Sequence, residues 1–353
     1  MRFTKFILVV KLGLSLDIVG SERSLPKKIG NHIISIGQKV DTAVRGIEDE
    51  AAYFSEHHTT ELIERLIRVS EGSSPFEVSP ERFLPLSSVP ERVASIPNSE
   101  AEAYRAVHHA GLSYCPAGAV RNLICKACRR LGGGVEVIGI FTDYTYQGRA
   151  VLLFDKHHNQ IVLSYRGSLF LENWIQDFVF LMTPVPYAKG VKIQLGFRQM
   201  HQKLYPDIIG PLREALDKYP DSKLLVTGHS LGGALATVMA SDLLHRDVVH
   251  PRRLNVITFG EPRVGNLEFA RWYNSQPAHI TRVVNENDIV PHLDPAVFGY
   301  VNHVSEMYIQ NNHSRICSTT ALEDITCSLS RFPNLSIINH NRAWDLPLGV
   351  FAC

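Results

Sequence analysis

Leu224-Leu225-Val226-Thr227-Gly228-His229-Ser230-Leu231-Gly232-Gly233-Ala234 decides how the chain folds. Four β-forming residues run into a Gly-x-Ser-x-Gly sequence, and a stretch rich in small residues, including Ala236 and Ala240, runs out of it. A G-x-S-x-G match alone occurs by accident in roughly a tenth of chains of this length. The flanks lift it: a buried strand, a sharp turn and a helix put the Ser230 hydroxyl at the tip of the turn. Glycines at 228 and 232 leave out Cβ atoms that would meet neighbouring backbone. The N–H of Leu231 then starts the helix and points where a negative oxygen would develop.

Working outward, Ile161–Tyr165, Asn255–Phe259 and Ile280–Val284 are further short apolar runs, suited to strands buried on both faces. Helical patterns at 197–219, 231–246 and 267–274 separate them. Strand and helix in alternation predict an α/β fold with a mostly parallel sheet.

If Ser230 is a nucleophile on such an elbow, its acid and then its histidine follow it in the chain. Asp242 and Asp247 fall on or just past the following helix, where acids are usually solvated. Asp288 follows the strand 280–284, at the end of a parallel strand where active sites gather, and is the preferred acid; Asp294 is the alternative. Of the later histidines, His292 is too close to Asp288, and His303 and His313 sit in polar, loop-like surroundings. His340, between Ile337-Ile338 and Trp344, is preferred, with His303 as its rival.

These segments together are familiar. Tyr165-Arg166-Gly167-Ser168, Leu171-Glu172-Asn173-Trp174-Ile175, Thr227 to Ala236, Gly260-Glu261-Pro262-Arg263-Val264-Gly265-Asn266 and Asn287-Asp288-Ile289-Val290-Pro291 occur in that order. They resemble the fungal class 3 triacylglycerol lipases of the Rhizomucor and Thermomyces type, over about residues 103–353. The resemblance implies an α/β-hydrolase fold with a short helical lid. It also implies a triad of Ser230, Asp288 and His340, and an oxyanion hole of Ser168 and the Leu231 N–H, with Asp177 holding the Ser168 hydroxyl. The lid would be 169–178, where Leu169, Phe170, Leu171, Trp174 and Ile175 are apolar and Glu172, Asn173, Gln176 and Asp177 polar. Such a helix can cover an acyl groove in water and turn its apolar face to a lipid surface; without the resemblance, a core helix explains the same stripe. One departure is Gln194, where many relatives carry His, which leaves the polarity of the groove open.

All six cysteines lie between Cys115 and Cys353. Six allow fifteen pairings. The resemblance selects Cys115–Cys353, Cys125–Cys128 and Cys317–Cys327. The rival for Cys125 and Cys128, a metal half-site or redox motif, lacks a second C-x-x-C and a thioredoxin-like surround. No metal or cofactor is expected. Disulfides imply an oxidising compartment, so an extracellular location is expected; the sequons at Asn312 and Asn334 fit secretion.

Residues 1–20 are a weak match to a signal or anchor, because Lys11 and Asp17 interrupt the apolar core. Residues 21–100 read as a helical pro-segment and linker. Val40, Val44, Ile47, Ala51 and Phe54 form one helical stripe; a second helix starts at Thr59 or Thr60; Pro75, Pro80, Pro85, Pro90 and Pro97 then break the chain. Residues 101–353 read as the lipase domain. Thirty-six basic against thirty-five acidic residues leave no footprint for nucleic acid. No apolar run is long enough for a transmembrane span. The expectation is a secreted, monomeric serine ester hydrolase acting on acylglycerols at an oil–water interface. The alternatives are a feruloyl or short-chain esterase on the same fold, and a catalytically silent lipid-binding relative.

Overall fold

The computed structural model describes residues 94–169, 181–294, 296–319, 322–331 and 334–353. The expected leader helices and the expected lid residues Phe170, Leu171, Trp174, Ile175 and Asp177 lie outside these.

Alternate residues of the central strands bury on opposite faces, as the two-residue period of a strand requires. Six of the eight strands of the main sheet are β1 (Val135–Asp143), β2 (Gly148–Asp155), β3 (Gln160–Tyr165), β6 (Lys223–His229), β7 (Leu254–Phe259) and β9 (His279–Asn285). The last two are β11 (Glu306–Gln310) and β12 (His313–Ile316), and the order is β1-β2-β3-β6-β7-β9-β11-β12. The five strands from β3 to β11 run parallel; β1, β2 and β12 are antiparallel additions at the edges. A small second sheet holds β4 (Met182–Pro184), β5 (Lys192–Gln194), β8 (Gly265–Asn266) and β10 (Tyr300–Val301). The pair β13 (Arg342–Ala343) and β14 (Leu346–Pro347) forms a short hairpin.

Two cores sandwich the main sheet. Ala150, Leu152, Ile161, Leu163, Leu224 and Val226 face the helices whose ranges are Leu195–Lys218 and Leu231–His245. Val151, Leu153, Val162, Leu225 and Ile257 face α1 (Glu100–Leu112), which packs through Ala103, Ala106, Val107 and Ala110. Two single-turn helices follow, α2 (Ala117–Arg121) and α3 (Lys126–Arg130). The first of the two long helices is then α4 and the second α5. Every residue of α5 from Leu231 to Leu244 is buried, with Thr237, Ser241 and Asp242 the polar ones among apolar and small residues. Last comes α6 (Leu267–Asn274). The result is an α/β-hydrolase fold.

α1 begins with a capping box: Ser99 accepts from the Glu102 N–H while the Glu102 carboxylate accepts from the Ser99 N–H. The residues just before it, which the sequence placed in the linker, lie against the sheet. Ile96 bridges His279 in parallel, and the buried Asn98 binds Thr281 Oγ1 and the Val256 carbonyl.

Gln194 has a local explanation. It caps α4, its Oε1 accepting from the Phe197 N–H at 2.6 Å, which satisfies one of the donors a helix leaves open at its start.

Candidate active site

The strand–turn–helix expected at 224–240 forms, with β6 running directly into α5. Ser230 sits between them at φ 61°, ψ −132°, a region that a non-glycine residue occupies only when its surroundings force it. A Cβ on Gly228 would come within 2.2 Å of the Gly232 carbonyl oxygen, and one on Gly232 within 2.3 Å of the Tyr165 carbonyl oxygen. Neither backbone can yield, so only glycine permits the turn.

Asp288 and His340 come together although 52 residues separate them. His340 Nδ1 lies 3.0 and 2.9 Å from the two carboxylate oxygens of Asp288. A carboxylate only accepts, so Nδ1 carries the hydrogen and the lone pair is left on Nε2. Asp288 follows β9, and its Oδ1 also accepts from the Val290 N–H at 2.9 Å. His340 lies in the 3-10 turn Ile338–Asn341. Both residues are buried. Gly260, at φ +54°, makes room for the pair: a Cβ there would lie 2.6 Å from His340 Nδ1 and 2.7 Å from Asp288 Oδ2.

Ser230 Oγ and His340 Nε2 are both buried and hydrogen-bonded to nothing among the described residues. Both residues line one cavity of about 710 Å³, within the range of small-molecule sites. Ser168 and Leu169 line it too, with Ile337, Ile338, Val350 and Phe351 on the side of the tail. Of these, Leu169, Ile338, Val350 and Phe351 are exposed, so the mouth carries an apolar rim. Leu231 is the first residue of α5, and an N–H there has no partner within the helix. The arrangement can move a proton from a hydroxyl to an imidazole beside an open N–H.

The alternatives fall elsewhere. Asp294 is fully buried with neither carboxyl oxygen bonded, and burial holds its carboxyl well above the usual carboxylate range. His303 is a correction: it is buried, not in a surface loop. Its Nδ1 lies 2.7 Å from the Val304 carbonyl and its Nε2 3.4 Å from Glu261. The segment looks polar because its polar groups satisfy each other, as when Arg282 Nε donates to the His303 carbonyl at 2.9 Å. Asp242 is likewise buried rather than solvated, bonded to Tyr187 and His201. Trp344 turns away from the cavity, meets Tyr104 edge to face and reaches Glu100.

The cysteines pair as Cys115–Cys353, Cys125–Cys128 and Cys317–Cys327. Among the described residues one group could offer metal donors, Glu306 with Cys317 and Cys327, and both of its sulfurs are consumed by a disulfide.

Sequence reasoning missed two residues. Tyr114 and His229 line the same cavity, with Tyr114 Oη 2.8 Å from His229 Nδ1 and His229 Nε2 2.8 Å from the His340 carbonyl oxygen. Burial first, then the neighbouring His340, hold the His229 imidazole well below its ordinary range. Nothing local in the sequence announces a contact over 115 residues.

The class 3 lipase family model matches residues 162–298, which takes in Ser168, Ser230 and Asp288. The lipase of Rhizomucor miehei is 34% identical over 246 residues, 67% of this chain and 66% of that protein, so the match spans just under two thirds of that relative's length. Among solved structures, lipase II from Rhizopus niveus superposes with a TM-score of 0.68 at 31% identity, over 71% of this chain and 96% of that one. Rhizomucor miehei triacylglyceride lipase superposes with 0.68 at 29% identity, over 72% and 98%. With the serine elbow, the buried carboxylate–imidazole pair and the sheet order already in place, these matches make the chain a member of the class 3 lipase family.

Proposed function

We propose that the protein is a secreted serine ester hydrolase that cleaves long-chain acylglycerols. One observation carries this: Ser230 Oγ and the lone-pair nitrogen of the Asp288-held His340 both reach one cavity with no other partner. His340 Nε2 takes the Ser230 proton as Oγ attacks the ester carbonyl. The Leu231 N–H and Ser168 hold the oxyanion, with Asp177 supporting Ser168. The tetrahedral intermediate collapses, His340 gives its proton to the leaving alcohol, and an acyl-enzyme remains. Water, deprotonated by His340, then releases the fatty acid. Asp288 keeps the imidazole in the required tautomer and stabilises its cation.

The apolar rim at the cavity mouth and the apolar residues at 169–175 support an acylglycerol held at a lipid surface, over a feruloyl or short-chain ester. Rates on p-nitrophenyl esters of increasing chain length, measured below and above their aggregation point, decide this. The expected outcome is a rise in rate with chain length and a jump once aggregates form. A flat or falling series with no jump makes the protein a short-chain esterase. Absence of both turnover and organophosphonate labelling of Ser230 makes it a silent lipid binder.

Secretion fits three disulfides in about 250 residues. Among the described residues no helix is long and apolar enough to cross a membrane. The helical part of the 21–100 stretch is proposed as a pro-segment cut from the lipase domain, with the end of its linker, Ile96 to Ser99, kept because it bonds the sheet and caps α1. N-terminal sequencing of protein from the culture medium should give a start between about residues 70 and 94, ahead of the residues that bond the sheet; a start near residue 20 rejects maturation.

A further inference from the structure

His229 sits where β6, the strand that carries the nucleophile, meets the turn that carries the base. Its hydrogen bonds have a determined direction. The His340 carbonyl oxygen can only accept, so His229 Nε2 must carry the hydrogen and donate across 2.8 Å. A neutral imidazole then has only a lone pair on Nδ1, which accepts from the Tyr114 hydroxyl at 2.8 Å. Burial keeps this phenol protonated. The chain Tyr114 O–H to His229 to the His340 carbonyl is thus a one-way strut in which every group is neutral.

Its fit is tight. The rings of His229 and His340 lie 4.3 Å apart, centroid to centroid, at 33°. A Cβ on Gly167 would lie 2.3 Å from Tyr114 Oη and 2.5 Å from the His229 carbonyl oxygen, so the segment just past β3 is kept bare there to admit the strut. The turn bearing His340 is otherwise a short 3-10 segment, with an internal N–H to carbonyl bond of 3.3 Å from His340 to Ile337. Asn285 Nδ2 adds a donor to the Asn339 carbonyl at 3.1 Å. Asp288 fixes the imidazole end of His340, and His229 fixes its backbone end.

We propose that His229, braced by Tyr114, is a positioning residue for the base: it holds the His340 main chain at the distance from β6 at which Nε2 faces Ser230. Neutrality is part of the role. In the tetrahedral step His340 becomes a cation. A second cation with its ring 4.3 Å away would oppose that charge, whereas a neutral imidazole donating to the carbonyl does not. The proposal rests on the hydrolase reading above.

The test compares wild type with His229→Leu, His229→Gln and Tyr114→Phe on a soluble p-nitrophenyl ester, with organophosphonate labelling of Ser230 and thermal melts alongside. Displacement of a catalytic group by about 1 Å is worth on the order of 100-fold. His229→Leu should therefore lower kcat and the labelling rate about 100-fold with KM within about threefold. His229→Gln, which retains an N–H for the carbonyl, should recover at least about tenfold of that. Tyr114→Phe should lose about three- to tenfold. A purely structural role would lower the melting temperature in all three without a kcat-specific loss or the Gln rescue, and that result overturns the proposal. A rise in KM at unchanged kcat overturns it too, making His229 a substrate contact. If His229→Leu does not fold, Tyr114→Phe decides, and wild-type kcat there rejects the strut. A wild type that neither turns over nor is labelled removes the hydrolase reading and this proposal together; normal wild type with unaffected variants removes only this one.

Discussion

Replacing Asp288 by Asn should lower kcat on a soluble ester by about 10⁴-fold with little change in KM, the size of loss seen when the acid of other Ser-His-Asp triads is made an amide. The reason lies in the hydrogen-bond directions. Both oxygens of Asp288 lie within 3.0 Å of His340 Nδ1, and because they only accept, they hold the hydrogen on Nδ1. An Asn amide can present its NH2 group instead. The imidazole then shifts its hydrogen to Nε2, which no longer accepts from Ser230. The fold should survive, since Asn fills the same volume and its oxygen can still accept from the Val290 N–H. No nearby acid can take over: Asp294 is buried and unbonded to any histidine, and Glu261 faces His303 instead. Steady-state kinetics checks the magnitude, and Asp294→Asn should keep kcat near wild type. If Asp288→Asn retains more than about a tenth of wild-type kcat, the acid lies elsewhere.

Much of the frame behind this prediction was readable in the sequence because parallel strands buried on both faces announce themselves as unbroken apolar runs. β3, β6, β7 and β9 fall within a residue or two of the expected 161–165, 224–227, 255–259 and 280–284. The same physics hides the edges. β1 is half-buried along most of its length and bulges between Val137 and Gly139, so it lacks both a continuous run and a clean alternation. α1 went unread because it packs through alanines, which fill a close helix–sheet contact but weigh little in an apolar stripe. The Asp288 assignment came from its place at a strand end. The sequence surroundings already favoured His340 over His303 and the family resemblance sharpened that choice, whereas the burial of His303 was hidden because it depends on Arg282, Glu261 and Tyr273, which reach it from elsewhere in the chain. Tyr114 and His229 were out of reach for the same reason: their contacts exist only after β6, α1 and the tail have met.

That meeting point is closed by a covalent bond, and the second large effect is expected there. Cys115 and Cys353 are joined across 238 residues. A closed loop of this length removes about 5 kcal/mol of unfolded-state entropy in the chain-entropy treatment. Cys115→Ser with Cys353→Ser should therefore lower the melting temperature by roughly 10–20 °C for a domain of this size. Activity should fall before the fold does. Cys115 directly follows Tyr114, and the tail between His340 and Cys353 supplies Val350 and Phe351 to the cavity and, from the Leu348 N–H, a 2.8 Å bond to the Asn341 carbonyl. Freeing the tail loosens the turn that carries His340 from one side and the phenol hydrogen-bonded to His229 from the other. At 25 °C, well below its melting point, the double variant should show a reduced kcat. Removing Cys125–Cys128, which closes only a three-residue separation, should change neither melting temperature nor kcat by a comparable amount. Calorimetry and soluble-ester kinetics on the two double variants make the comparison. Equal melting shifts would mean that loop length is not what this bond contributes, and full activity in the Cys115/Cys353 variant would mean that the tail is held at the active site by its noncovalent contacts alone.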